Sequence, residues 1–281
     1  MTTVEAQLAP GTSPATRPEA AARGLSAISF VEISKHFPTT AGRLEVLRNV
    51  SFAVPTGEIV AIVGPSGSGK TTLLNMAAGL IAPDRGRVTV LGEEVGGRVD
   101  WSRVGYMFQD DRLLPWRVAV GNVALALEAG SMPSAERRQR AQAGLELVGL
   151  EDFADAYPHQ LSGGMRSRVA LARSLVGEPD VLLMDEPFSR LDAQTRATMH
   201  GELLRIHALR CMSVLIVTHD VEEAVILAHR IVMVSPRPGE VRRQVEVKLP
   251  QPRLGSAEAT TLVAELRNSL TEMDAKEEVL P

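Results

Sequence analysis

The amino-acid sequence predicts an α/β fold: a mostly parallel sheet with helices on its faces, an antiparallel β portion near the N-terminus and an inserted helical subdomain. Three observations predict it. Short β-branched runs alternate with helical patterns in both halves of the chain. Residues 181–184 form a continuous apolar run, as a parallel strand buried on both faces requires, and 213–217 and 230–235 repeat that signature. Between the two halves, residues from about 119 to 176 carry helical patterns alone.

The elements follow in order. Residues 1–25 are rich in Ala, Pro, Thr and Gly without periodicity and are expected to be a disordered tail. Strands are predicted over 50–54 and 58–63, then a glycine loop and a helix over about 69–80, then strands over 87–91 and 104–108. In the helical middle, Ser134 is expected to N-cap a helix with Glu136 in its first turn and an end near Gly149. Helices over about 192–209 and 221–228 separate the three apolar strands of the second half. An alternating strand from 241 and a helix from about 257 complete the chain. The expected organisation is therefore one domain over 26–281, with a helical subdomain over about 110–176 and a C-terminal strand and helix over about 241–275.

Composition narrows the function. The 281 residues suffice for one large α/β domain, and 44% hydrophobic with 23% charged residues is ordinary for a soluble protein. A net charge of −4 gives no basic excess, so no nucleic-acid partner is expected. The single cysteine, Cys211, excludes an internal disulfide. No run reaches the roughly 18 apolar residues of a membrane-spanning helix. Residues 1–22 lack the cationic and apolar regions of a secretory signal, so a cytoplasmic location is expected.

Two motifs carry chemistry. Gly64-Pro65-Ser66-Gly67-Ser68-Gly69-Lys70-Thr71 fits G-x-x-x-x-G-K-[ST] in full, between a predicted strand and a predicted helix that continues with Thr72. Glycines let backbone N–H groups approach phosphate oxygens, and the helix N-terminus adds partial positive charge. Lys70 would reach the β- and γ-phosphates, and the Thr71 hydroxyl would bind Mg²⁺. The second motif is the apolar strand ending in Asp185-Glu186, at the strand end where open α/β sheets bind ligands. Asp185 would hold Mg²⁺, directly or through water, and Glu186 would orient and polarise the attacking water.

A third segment, Leu161-Ser162-Gly163-Gly164-Met165-Arg166, resembles the signature of the ATP-binding cassette (ABC) family, LSGGQ and its variant LSGGM. The resemblance covers about residues 28–250 and implies a P-loop NTPase core. Other positions match in the family's order. Phe37 corresponds to the aromatic that stacks on adenine, with a core phenylalanine as the alternative reading. Gln109 resembles the Q-loop glutamine, which contacts Mg²⁺ or water. Ser189-Arg190-Leu191-Asp192 resembles the D-loop, and His219 the switch histidine near the γ-phosphate. Two positions depart: Arg190 replaces a small residue, and Ser167 a glutamine common after the signature. His36, His159, His200, His207 and His229 match nothing and are read as structural or exposed.

The resemblance implies an ATPase using ATP and Mg²⁺ whose Ser162, Gly163, Gly164 and Met165 meet the nucleotide of a second copy, in a head-to-tail homodimer. It further implies permease subunits as membrane partners, with the chain peripheral on the inner face, and indirectly a solute-binding protein. Asp110-Asp111-Arg112-Leu113-Leu114-Pro115-Trp116 is similar to the corresponding segment of nitrate, sulfonate, taurine and bicarbonate importer ATPases. Trp116 is placed near the permease groove, a core tryptophan being the alternative. A repair, chromosome or translation ATPase of the same superfamily is the rival reading. The stretch from Lys70 to Ser162 leaves no room for the long insertions of the first two, and the chain holds one cassette rather than two.

Overall fold

The computed structural model describes residues 26–40 and 42–277, and the expected N-terminal tail lies outside them. Two sheets form its frame. The first is antiparallel, in the order β2-β1-β4-β5, from β1 (Ser26–Thr39), β2 (Gly42–Pro55), β4 (Arg85–Val90) and β5 (Glu93–Glu94). The second has the order β10-β9-β3-β8-β7-β6, from β3 (Ile59–Val63), β6 (Val104–Met107), β7 (Val181–Asp185), β8 (Ser213–Thr218), β9 (Arg230–Val234) and β10 (Val241–Glu246). Every neighbouring pair in it is parallel except β10 with β9.

The parallel strands are apolar because both their faces are covered. Ile59, Ala61, Val63, Leu182, Met184, Val214 and Ile216 join one core with the helices α2 (Ala119–Ala124), α3 (Ser134–Leu147), α4 (Gly163–Leu175), α5 (Ala193–Arg210), α6 (Val221–Leu227) and α7 (Ala257–Glu277). Val60, Ile62, Val181, Leu183, Leu215 and Val217 point the other way. There they meet α1 (Lys70–Ala77) and the apolar side of the antiparallel sheet, where Phe30 and Phe52 stack with ring centroids 4.5 Å apart. The second face thus carries one helix and a sheet rather than helices alone. β1 and β2 are 14 residues each, and their alternating apolar residues have to be buried somewhere. The sequence pattern marked only the last part of β2, because register shifts in the β1–β2 pairing interrupt the alternation.

Two further differences are local. α3 begins at Ser134 itself, with extended Pro133 in the capping position and no side-chain cap, so Ser134 is not the N-cap. Its hydroxyl already lies inside the first turn, while Glu136 pairs with Arg140 at 3.0 Å one turn on. Among the described residues no helix is long and apolar enough to cross a membrane.

Strand order is what builds the site. β3, β8, β7 and β6 are consecutive and parallel, so the four segments leaving their carboxyl ends stand side by side along one edge. Those segments begin at Gly64, His219, Glu186 and Phe108.

Candidate active site

The segment after β3 wraps tightly before entering α1. Gly67 (φ 81°) and Gly69 (φ 89°) occupy the left-handed region that glycine adopts without strain. At Gly64 the constraint is space: a Cβ there would lie 2.5 Å from the Val234 carbonyl oxygen. α1 has no side-chain cap and no acidic residue in its first turn, which leaves its leading amides to an anion. Lys70 is buried, and its ammonium donates to the carbonyls of Gly64 (2.8 Å) and Pro65 (2.7 Å). Burial pulls the Lys70 pKa down, and the Glu186 and Asp185 carboxylates partly restore it. Ser68 is fully buried, its hydroxyl unpartnered among the described residues.

The acidic pair at the end of β7 closes on this loop. The Thr71 hydroxyl donates to Asp185 Oδ1 at 3.0 Å. Burial raises the Asp185 pKa, and the Thr71 hydrogen bond opposes it. Glu186 adopts φ 43°, a left-handed conformation costly for a side chain of this type. Its amide donates to the Val217 carbonyl at 2.8 Å, which holds the turn against β8. The turn presents Glu186 Oε2 3.1 Å from His219 Nδ1 and 3.3 Å from Gln109 Nε2. Three residues far apart in sequence thus meet on one carboxylate oxygen.

Between these groups lies a cleft of about 320 Å³. Ser66, Gly67, Gly69, Lys70, Thr71, Thr72 and Glu186 line it, with Phe37 and Val46 of the antiparallel sheet and Arg237 from the β9–β10 turn. Phe37 packs partly on the core and also faces the cleft. Sequence reasoning missed Val46 and Arg237. Val46 is one of many strand valines, and Arg237 lies 170 residues from the loop it touches; neither carries a local signal.

Ser162, Gly163, Gly164 and Met165 do not line this cleft. Ser162 N-caps α4, accepting from the Met165 amide at 3.2 Å, and Ser162 and Gly163 are exposed at the helix tip. The Met165 side chain packs on the helical core. Asp192 N-caps α5, accepting from the Thr195 amide (3.0 Å) and hydroxyl (2.7 Å), bonds that hold its carboxyl below the usual range. Thr195 in turn abuts Gly164, where a Cβ would meet Thr195 Cγ2 at 2.6 Å. Asp192 of the D-loop-like segment is therefore linked through Thr195 to Gly164 of the signature-like segment.

The segment after Gln109 is tied to both. Arg190, the departure noted above, pairs with Asp110. Arg166 Nε donates to Asp111 Oδ2 at 3.1 Å and Arg173 to the Arg112 carbonyl at 2.8 Å. Ser167, the other departure, bonds back to the Gly163 carbonyl at 3.2 Å within the helix. Trp116 is 71% exposed, which removes the core-tryptophan alternative.

Chemically, the arrangement offers an anion cradle with a buried cation, an apolar wall from Phe37 and Val46, and a carboxylate facing the cleft. The Thr71 hydroxyl and Asp185 carboxylate form a hard oxygen pair. Among the described residues no group of three His, Cys, Asp or Glu side chains makes a self-contained metal cage. A Mg²⁺ shared with phosphate oxygens needs no such cage.

A family model described as ABC transporter matches residues 47–189. The nitrate import ATP-binding protein NrtD of Synechocystis sp. is 44% identical over 224 residues, covering 79% of this chain and 83% of NrtD. The aliphatic sulfonates import ATP-binding protein SsuB 1 of Xanthomonas axonopodis pv. citri is 46% identical over 213 residues, covering 75% and 84%. A solved dimeric ATP-binding cassette, described as a post-hydrolysis state bound to ADP and Pi, superposes with a TM-score of 0.71 at 33% identity, covering 79% of this chain and all of that one.

Proposed function

The chain belongs to the ABC transporter family, and from that membership we propose that it is the ATP-binding and hydrolysing subunit of an importer. Its cargo is a small anion of the nitrate or organic sulfonate class, taurine included. The observation that carries the catalytic reading is the meeting of His219 and Gln109 on Glu186 Oε2 beside the loop holding Lys70.

Phe37 and Val46 provide the surface for adenine. The amides of residues 64–71 and the Lys70 ammonium hold the polyphosphate, Lys70 exchanging its loop carbonyls for phosphate oxygens. Thr71 and Asp185, with Gln109, would hold Mg²⁺, which offsets charge on the β- and γ-phosphates. Glu186 orients the attacking water and takes up its proton. His219 fixes the Glu186 carboxylate and faces the γ-phosphate. Ser162, Gly163, Gly164 and Met165 of a second copy complete the site from the other side, with the Asp192 segment at the seam. Removing positioned donors of this kind from developing negative charge costs about 10²–10³-fold in rate. Lone chains are therefore slow ATPases, and ATP works by joining two copies. Closure is passed through the Gln109–Trp116 segment to separate permease subunits, which place the chain on the inner face of the membrane; a solute-binding protein delivers the cargo.

Replacing Glu186 by Gln tests the reading. The E186Q variant is expected to bind MgATP, turn over at least about 10²-fold more slowly and elute as an ATP-dependent dimer in gel filtration. Lys70→Ala is expected to lose nucleotide binding. Wild-type turnover in E186Q, or wild-type affinity in K70A, contradicts it.

A further inference from the structure

The β9–β10 turn is built onto the phosphate loop. Within the turn, the Ser235 hydroxyl donates to the Pro238 carbonyl at 3.1 Å and accepts from the Glu240 amide at 3.0 Å. Outward, the Gly239 amide donates to the Val46 carbonyl at 2.8 Å, and the Arg48 amide to the Gly239 carbonyl at 3.0 Å. Gly239 lies so close to the loop that a Cβ would stand 2.1 Å from the Ser68 carbonyl oxygen. This clasp places Arg237 at the rim of the cleft, where Nε donates to the Gly67 carbonyl at 3.3 Å.

One donor of the five in the guanidinium is used in that bond. Among the described residues no carboxylate pairs with Arg237. The neighbouring Glu240 is occupied by Arg48 (3.5 Å) and Arg242 (3.2 Å). Arg237 therefore stands as an unneutralised planar cation at the rim of an opening that Lys70 and Thr71 also line. The ligand such a fork suits is a phosphate group, engaged through two parallel N–H donors.

We propose that Arg237 is a nucleotide-binding residue that contacts the polyphosphate held by the Gly64–Thr71 loop. The proposal rests on the nucleotide reading above and adds to it a ligand from outside the loop and strand-end motifs. It also assigns the β9–β10 turn a role in affinity, since the turn fixes where the guanidinium sits.

The test is titration of the full chain with MgATP, with melting curves of the nucleotide-free protein as a control for folding. Arg237→Ala is expected to raise the Kd for MgATP about tenfold or more, as the loss of a charge-assisted hydrogen bond implies. The nucleotide-free melting temperature is unchanged, and Arg237→Lys recovers part of the affinity. A Kd within twofold of wild type in R237A overturns the proposal. So does an affinity loss accompanied by an equal loss of nucleotide-free stability, which assigns Arg237 to clasping the loop alone. Failure of the wild-type chain to bind MgATP overturns the nucleotide reading itself, a result distinct from both.

Discussion

At the residue scale, carboxyl groups in this chain divide by environment. Asp185 and Glu186 sit at the strand edge with hydroxyl, amide and imidazole partners, which is how a charged group is kept near an opening. Glu223 on α6 is the opposite case. It is 3% exposed, 3.8 Å from His200 of α5, and among the described residues Glu223 Oε1 and both His200 ring nitrogens have no hydrogen-bond partner. Phe188 covers the imidazole edge-on at 5.2 Å, and Arg196 and Asp220, paired at 3.3 Å, are the other charges facing the group. Burial pushes the Glu223 carboxyl up. A carboxyl raised on folding costs nothing below its unfolded pKa of about 4.3, and costs progressively more as pH climbs toward the folded value. Glu223→Gln removes that cost, so its melting temperature relative to wild type is expected to rise between pH 5 and pH 8. A relative stability that falls over this range contradicts the assignment. The acidic pair was legible in the sequence because an apolar strand announces it. The His200–Glu223 pair was not, since nothing local marks two residues on separate helices as neighbours; the sequence indicated only that His200 is structural or exposed, and it is buried.

At the element scale, the glycine loop is held by what lies behind it. Gly64 touches the Val234 carbonyl, Gly69 the Leu47 side chain, and Gly239 the Ser68 carbonyl, so strand ends and a distant turn shape the cradle jointly. Gly239→Ala sets a methyl against a backbone oxygen that cannot rotate away. It is expected to lower the melting temperature by several degrees and to weaken MgATP binding at least tenfold, although residue 239 itself does not line the cleft. Unchanged affinity and stability in G239A contradict the clasp. The parallel strands and their order of chemistry were readable, because burial on both faces leaves unbroken apolar runs. β1 and the early part of β2 were not delimited, since bulged register shifts break their alternation, and Ser134 was displaced by one position because extended Pro133 already ends the preceding loop.

At the scale of the whole molecule, the two halves of the chemistry point to different surroundings. The loop and Glu186 line one cleft, with Asp185 bonded to Thr71 and with Gln109 and His219 bonded to Glu186, while Ser162 and Gly163 are exposed at the tip of α4 and outside it. A single copy therefore carries both halves of a site without uniting them. In the proposed function, two copies in head-to-tail arrangement would unite both twice. Asp192, Thr195 and Gly164 form one contact series, and Arg190, Asp110, Asp111 and Arg166 another. Through them the exposed tip is mechanically continuous with the segment that follows Gln109. The direct measurement is disulfide crosslinking between two chains lacking Cys211, one carrying Ser162→Cys and the other Ser66→Cys, in the E186Q background. The account predicts a covalent pair that forms with MgATP and disappears when the chain carrying Ser66→Cys also carries Lys70→Ala. Absence of the pair in saturating MgATP, with nucleotide bound, contradicts it.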